Sequence, residues 1–381
     1  MRVLAISQSF APGFRGGSIQ ALSFMAEHLG RRCEFLVVAR DRDPGADTPL
    51  PGITMDTWTT HGHARAFYAT RRHGPQLVAV LVHATRPDVI FLNSVFATGS
   101  VSLLALRRLG FVRVPVVLAP EGELAPGALA QKPWRKRLFL GLARATALWR
   151  DVVFVARDAN EARDIRRVWP GAGAPVVLPC LGPVEPRALV APRDKAAGSA
   201  TLVYLSRITP KKHLAFLLEV LQAGVPGDLE LAIVGPIDDA GYWTSCQALM
   251  ASLPASVRAT WHGEALPDDV PAWLSRAHAL ALPSLGENYG YVVAEALEAG
   301  RPVLVSDRTP WRDLQAAGAG WTLPLTPSAW AAAITALLAL SQHAFEARCR
   351  DARAHGLAAR PADDTAAATL ATLRRAAHLD G

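Results

Sequence analysis

Short runs of β-branched and other apolar residues recur along this chain, each followed by an amphipathic stretch, and the cycle starts afresh near residue 200. In the first half, residues 3–7, 33–38, 88–92, 114–119, 151–155 and 176–178 read as strands. Residues 18–29, 76–84, 98–108, 133–148 and 158–168 carry helical periodicity. In the second half, strands are expected at 201–205, 230–234, 259–262, 279–282 and 302–305. Helices are expected there at 213–221, 242–253, 270–277, 291–299, 310–317 and 328–340. Strands that are apolar throughout, alternating with helices, specify parallel sheets covered on both faces. Two such series specify two doubly wound α/β domains. The segment 175–199 holds Pro179, Pro183, Pro186, Pro192, Gly182 and Gly198 with little periodicity, the composition of a linker. The expected division is 1–185, 186–360 and a C-terminal helix in 361–381 that packs back on the first domain.

Half of the 381 residues are hydrophobic and 19% are charged, so the chain can bury a large core and is not a disordered or fibrous type. No apolar run reaches the ~18–20 residues that span a bilayer. The first residues pass straight into a strand, so no secretory leader is expected and the cytoplasm is the expected compartment. Cys33, Cys180, Cys246 and Cys349 lie far apart, which excludes a disulfide framework and a cysteine zinc site.

Charge is unevenly spread. Residues 1–190 carry 24 Lys and Arg against 14 Asp and Glu, whereas residues 191–381 carry 16 against 19. The first half is therefore expected to meet something anionic. Its densest part runs from Lys132 through Trp134, Arg135, Lys136 and Arg137 to Arg150, with Leu138, Phe139 and Leu140 interleaved. Cations and large apolar groups at helical spacing suit a helix lying on an anionic membrane surface, as a peripheral protein on the inner face would. An ordinary helix with a solvated basic face is the alternative. Nothing resembles a nucleic-acid reading element, so nucleic acid is not an expected partner.

In open parallel sheets, ligands bind at the carboxyl ends of strands. The first strand is followed by Ala11-Pro12-Gly13-Phe14-Arg15-Gly16-Gly17-Ser18, where adjacent glycines and a helix N-terminus suit a phosphate or sugar oxygen, or simply a turn. It lacks the spacing of dinucleotide-binding and P-loop motifs. The first strand of the second half is followed by Arg207 and Lys212. A guanidinium and an ammonium there suit a diphosphate, although surface turns often carry such residues. The most specific segment spans Ser284 to Val305. Glu287, Asn288, Tyr289 and Gly290 open a helix, and Glu295 lies within it among Val292, Val293, Ala294, Ala296 and Leu297. Carboxylates accept hydrogen bonds from vicinal hydroxyls, so sugar and ribose are natural partners. Favourable acid placement at a helix start explains Glu287, but explains Glu295 poorly.

These strings resemble the family-4 retaining glycosyltransferases. Glu287 and Glu295 match their Glu-x7-Glu signature, Arg207 and Lys212 their Arg-x4-Lys element, and Gly16-Gly17 their N-terminal glycine loop. Asn93-Ser94, the Ala119 to Leu124 string and the Thr309 to Leu314 string look like members that build bacterial surface polysaccharides. The resemblance covers nearly the whole chain. It implies the GT-B fold, two Rossmann-like domains facing across a cleft, and transfer of a sugar from a nucleotide-diphosphate sugar to a glycan or polyprenyl-linked acceptor. It assigns Arg207 and Lys212 to the diphosphate, Glu287 with Asn288, Tyr289 and Gly290 to the sugar, Glu295 to the ribose, and Gly16 and Gly17 to the donor from the first domain. It implies no metal and no cofactor beyond the donor substrate. The chain departs from the family where His213 replaces a usual Gly and Cys180 a usual Asn. Where many members carry His or Arg after the fourth strand, this one has Pro120-Glu121-Gly122, which makes Glu121 a candidate sugar or acceptor contact. Asp41-Arg42-Asp43 spells a metal–diphosphate motif of other glycosyltransferases, but sits in a Pro-Gly-rich loop and reads as loop chemistry. His61, His63 and His73 read as solvated histidines of a polar loop. Two alternatives stay open: a glycosyltransferase of a small soluble acceptor, and a non-catalytic nucleotide-sugar binder.

Overall fold

A computed structural model describes residues 1–12, 16–43, 47–74, 76–130, 133–361 and 363–378. It divides into two units, one formed by residues 1–184 with 361–381 and the other by residues 185–360.

The first unit is built on strands β1 (Arg2–Ile6), β2 (Glu34–Arg40), β3 (Trp58–His61), β4 (Ala64–Ala69), β5 (Val89–Leu92), β6 (Val116–Leu118), β7 (Val152–Ala156) and β8 (Val176–Val177). The sheet order is β3-β4-β2-β1-β5-β6-β7-β8, parallel except for the β3–β4 pair. Helices α1 (Gly17–Leu29), α2 (Gln76–Thr85), α3 (Thr98–Arg108), α4 (Pro126–Leu129), α5 (Pro133–Ala145) and α6 (Ala159–Val168) connect these strands. Val3, Leu4, Val89, Ile90 and Val117 are wholly buried, as expected for strands covered on both faces. Trp149 anchors one end of this core, edge-on to Phe154 and Trp169.

The second unit has a six-stranded, all-parallel sheet: β9 (Ser199–Leu205), β10 (Asp228–Val234), β11 (Val257–Trp261), β12 (Ala279–Leu282), β13 (Val303–Ser306) and β14 (Gly320–Leu323), in the order β11-β10-β9-β12-β13-β14. Its helices are α7 (Leu214–Gln222), α8 (Ala240–Ala251), α9 (Val270–Ser275), α10 (Tyr291–Glu298), α11 (Pro327–Ala339) and α12 (Gln342–Ala358). The order reverses between β9 and β12, which makes their carboxyl ends the topological switch point. A last helix, α13 (Asp363–Ala376), packs on α1 and against β5 and β6 in the first unit. Among the described residues, no helix is long and apolar enough to cross a membrane.

Three sequence expectations need correction. The polar loop holding the histidines is a hairpin: β3 and β4 pair antiparallel across Gly62 (φ +57°) and His63. β3 mixes polar and apolar residues because it forms the sheet edge, where an apolar run is not required, whereas β4 lies inside the sheet between β3 and β2. Residues 310–317 are not helical but a turn, because Asp313 adopts a left-handed φ of +55° that breaks the periodicity. Residues 320–323, not expected as a strand, form the edge strand β14.

Candidate active site

Strands β9 and β12 end side by side, and their following loops are stitched together. After β9 the chain makes a 3-10 turn over Pro210–Lys212, closed by His213 at a left-handed φ of +59°. After β12, Ser284 is fully buried, and the Lys211 carbonyl accepts from Leu285 N (2.8 Å) and Ser284 Oγ (3.3 Å). Ser306, at the end of β13, donates to the Ser284 carbonyl at 2.5 Å. This backbone stitching brings Lys212 and Glu287 together. Lys212 Nζ lies 2.5 Å from Glu287 Oε1, with side-chain exposures of only 15% and 10%. Burial alone would raise the Glu287 pKa, but the Lys212 ammonium, helped by Lys211 and the Ser284 hydroxyl, outweighs it and holds the carboxyl below the usual range.

Gly290 caps α10 in the left-handed region, at φ +79°, where a side chain would be strained. The Tyr289 carbonyl accepts from Trp311 Nε1 at 2.6 Å, and the Tyr289 ring packs on Tyr291 and Trp311. The loop 287–290 is therefore held from both sides, and Asn288 within it is half-buried. Arg207 follows β9 directly and pairs at 2.6 Å with Asp238, from the loop after β10.

Glu295 stands apart from the Lys212–Glu287 pair. It is 5% exposed, and its Oε1 lies 2.5 Å from Arg187 Nη2. Burial pushes its pKa up, partly offset by the Arg187 guanidinium. Glu298, one turn further on α10, accepts from Arg187 N (2.7 Å) and Arg360 Nη1 (3.1 Å). Sequence reasoning missed Arg187 and Glu298. The signal that singled out Glu295, an acid on an apolar helix, applied equally to Glu298.

In the first unit, Gly16 is the N-cap of α1 at φ −72°, a conformation open to any residue, and Gly17 is the first helical residue. At these positions what a glycine offers is the missing side chain. Residues 13–15 of the glycine loop lie outside the described residues. Glu121 is not a solvated turn residue. It adopts φ +53° and is buried against Arg157, whose Nε donates to Oε1 at 3.0 Å. Glu161 accepts from Gly122 N (2.6 Å) and Arg157 N (2.7 Å). Burial, with the Glu121 charge beside it, pushes Glu161 up to about 7. Glu123 accepts from Ser94 Oγ (2.8 Å) and Val95 N (2.7 Å). The carboxyl ends of β5, β6 and β7 thus carry a carboxylate cluster of which sequence reasoning picked out Glu121 alone as a site residue.

Asp41 is fully buried and takes both Nε (2.9 Å) and Nη2 (2.8 Å) of Arg42, while Asp43 accepts from Ser9 Oγ at 2.8 Å. Asp41 is thus engaged within the loop and Asp43 with the segment after β1. Of the histidines, His73 is not simply solvated: its Nε2 lies 3.0 Å from Asp56, and the His61 ring packs edge-on to Phe10. Among the described residues, no group of three His, Cys, Asp or Glu side chains converges as a metal site would require.

Residues 199–340 match the family described as Glycosyl transferases group 1. The second unit thus carries a match to this family, and the chain has the GT-B fold. A GDP-mannose-dependent alpha-mannosyltransferase of Mycobacterium tuberculosis is 27% identical over 358 residues, covering 82% of this chain and 81% of that protein. The solved structure of Anabaena HepE with UDP and glucose superposes with a TM-score of 0.70 at 18% identity, covering 98% of this chain and all of that one. Sucrose-phosphate synthase from Thermosynechococcus elongatus superposes with a TM-score of 0.74 at 18% identity, covering 98% of each chain. The matched span begins with β9 and ends one residue beyond α11, so it contains Arg207, Lys212, Glu287 and Glu295.

Proposed function

We propose that this glycosyltransferase moves a hexose, with retention of configuration and without a metal, from a nucleotide-diphosphate sugar to a glycan or lipid-linked acceptor in polysaccharide synthesis. The observation that carries this reading is the buried Lys212–Glu287 pair at the switch point of the second unit. Lys212 and Arg207 would neutralise the diphosphate as it departs, the stage at which its charge grows. Glu287 would accept hydrogen bonds from the sugar hydroxyls, and the N–H groups at the start of α10 would meet the donor's oxygens. The acceptor hydroxyl would attack the face the diphosphate leaves. Its proton would pass to the departing phosphate oxygen, so no enzyme nucleophile is needed and positioning does most of the work. Glu295 would take the ribose diol once Arg187 yields its place, and Glu121 with Arg157 would contact sugar or acceptor from the first unit. The named relatives use GDP-mannose or bind UDP and glucose, so UDP- and GDP-sugars are the first donors to try. Incubation with UDP-, GDP- and ADP-sugars should give transfer or slow donor hydrolysis with one of them. Affinity with neither would establish the non-catalytic binder instead. Chelator is expected to leave the rate unchanged, because Asp41 is committed to Arg42 and Asp43 to Ser9. Loss of activity restored by a divalent ion would overturn the metal-free reading.

Contact with an anionic membrane is part of the same proposal, and α5 supports it. Trp134, Leu138 and Leu142, four residues apart and so on one helical face, are 65%, 59% and 57% exposed. Phe139 turns inward to pack on Phe96 and Trp149. Arg135 and Arg137 flank the exposed stripe, whereas Lys136 donates to the Ala128 carbonyl at 2.6 Å and serves the fold. Lys132, where the basic segment begins, lies outside the described residues. Trp134→Ala combined with Leu138→Ala should weaken binding to phosphatidylglycerol vesicles by about tenfold or more in a sedimentation assay. Replacing Arg135 and Arg137 should weaken it only at low salt. A wild type that ignores such vesicles would remove membrane contact from the account.

A further inference from the structure

A parallel sheet is normally covered on both faces, and the cover over one face of the outer strands in the second unit leaves a cavity, although Thr201, Val203 and Ala232 beneath it are buried. Thr201 of β9, Glu230 of β10 and Arg258 of β11 stand in one cross-strand row, and Val203, Ala232 and Thr260 form the next. Residues two apart in a strand share a face, so these two rows line one side. Leu229, Leu231 and Ile233 fill the opposite side and are buried. The helix beside this cavity, α9, has six residues and spans only ~9 Å. The result is a cavity of about 500 Å³ over Val203 and Ala232.

Its walls bring together groups of opposite hydrogen-bonding character. Glu230 contributes a carboxylate, to which Thr201 Oγ1 donates at 3.3 Å. Arg193 and Arg276 contribute guanidinium groups, joined through a bond from Arg193 Nη1 to the Arg276 carbonyl. The Arg276 guanidinium lies 5.2 Å from the Trp273 ring centroid, and the His262 ring packs on Trp273 at 4.8 Å. A phosphate here would be repelled by Glu230, and an ammonium by the two arginines. A hydroxyl both donates and accepts, so a polyol satisfies the carboxylate and the guanidinium groups at once. The indole adds an amphipathic wall for the C–H faces of a sugar ring. The volume lies within the usual range for small-ligand sites.

We propose that this cavity binds a neutral oligosaccharide, separately from the donor residues at the ends of β9 and β12. The proposal goes beyond the reading given above and does not require it: binding is asked of the sheet face, not of the transfer reaction.

Calorimetric titration of the full chain with maltotriose and with mannotriose, each with and without saturating UDP and GDP, tests it. The expected result is saturable binding of at least one trisaccharide with a Kd on the order of 1 mM, unchanged by either nucleotide. Glu230→Gln, which keeps the side-chain shape, and Trp273→Ala should each weaken it by about fivefold or more. If Trp273→Ala fails to fold, Arg276→Ala takes its place. Four outcomes would overturn the proposal. These are no saturable binding by the wild type, binding that both variants retain, displacement by UDP or GDP, and a concentration-dependent dimer dissolved by the same substitutions, which would make the face a subunit interface.

Discussion

Lys212→Ala is expected to lower the rate of donor turnover by about a hundred- to a thousandfold, the range seen when one group opposing a developing charge is removed. The same change strands Glu287. That carboxyl is nine-tenths buried and would lose the cation 2.5 Å away, at a cost of roughly 3–5 kcal/mol to the second unit. The two effects separate with pH. In the wild type the Glu287 pKa lies below its ordinary value, so the pair's contribution is present above about pH 4.5 and is lost as pH falls through the lowered pKa. In the variant Lys211 and the Ser284 hydroxyl still favour the charged carboxyl, but its main partner is gone, so burial pushes its pKa up from the wild-type position and the stability penalty fades as pH falls. The difference in unfolding midpoint between the two proteins should therefore be largest near neutral pH and shrink towards pH 4. A variant with wild-type turnover would discard the assignment of Lys212 to the departing diphosphate.

A comparably large effect is expected at Arg301, through folding rather than chemistry. Its guanidinium is fully buried in the second unit and donates to the carbonyls of Leu274 (2.9 Å), Gly300 (3.2 Å), Val190 (3.4 Å) and Ala191. It thereby fastens the 190–191 segment to α9 and to the turn after α10. Arg301→Ala leaves a large cavity and several carbonyls unsatisfied, so about 4 kcal/mol or more should be lost. The urea midpoint of the second unit should fall accordingly. A change under about 1 kcal/mol would mean that water or neighbouring donors replace the guanidinium.

Most of the second unit was legible because its strands are unbroken apolar runs, as in β9 and β12, and because its helices begin where polar turns end. Of the strands that escaped, β3 and β14 lie at sheet edges, and half-exposed β3 carries no such run; β4 lies inside the sheet, with exposed Arg65 interrupting its apolar residues. The false helix at 310–317 had the right periodicity, and a single left-handed residue, Asp313, defeated it. For the site, residue type and spacing singled out Lys212 and Glu287 individually. Their contact depends on the Leu285–Lys211 and Ser284–Lys211 hydrogen bonds between two loops, which no local pattern reports. Arg187 and Arg157 were invisible for a related reason. Each is an ordinary arginine in sequence, and it is marked only by the buried carboxylate it meets, Glu295 or Glu121.

The proposed retention requires attack on the activated sugar from the face its diphosphate leaves. The most direct measurement is time-resolved proton NMR of the wild type with UDP-α-glucose and, separately, GDP-α-mannose, following the anomeric proton of the first sugar released or transferred. An initial α signal that requires Lys212 is the expected result. An initial β signal, or tight donor binding with no new anomeric signal from either compound, would contradict it.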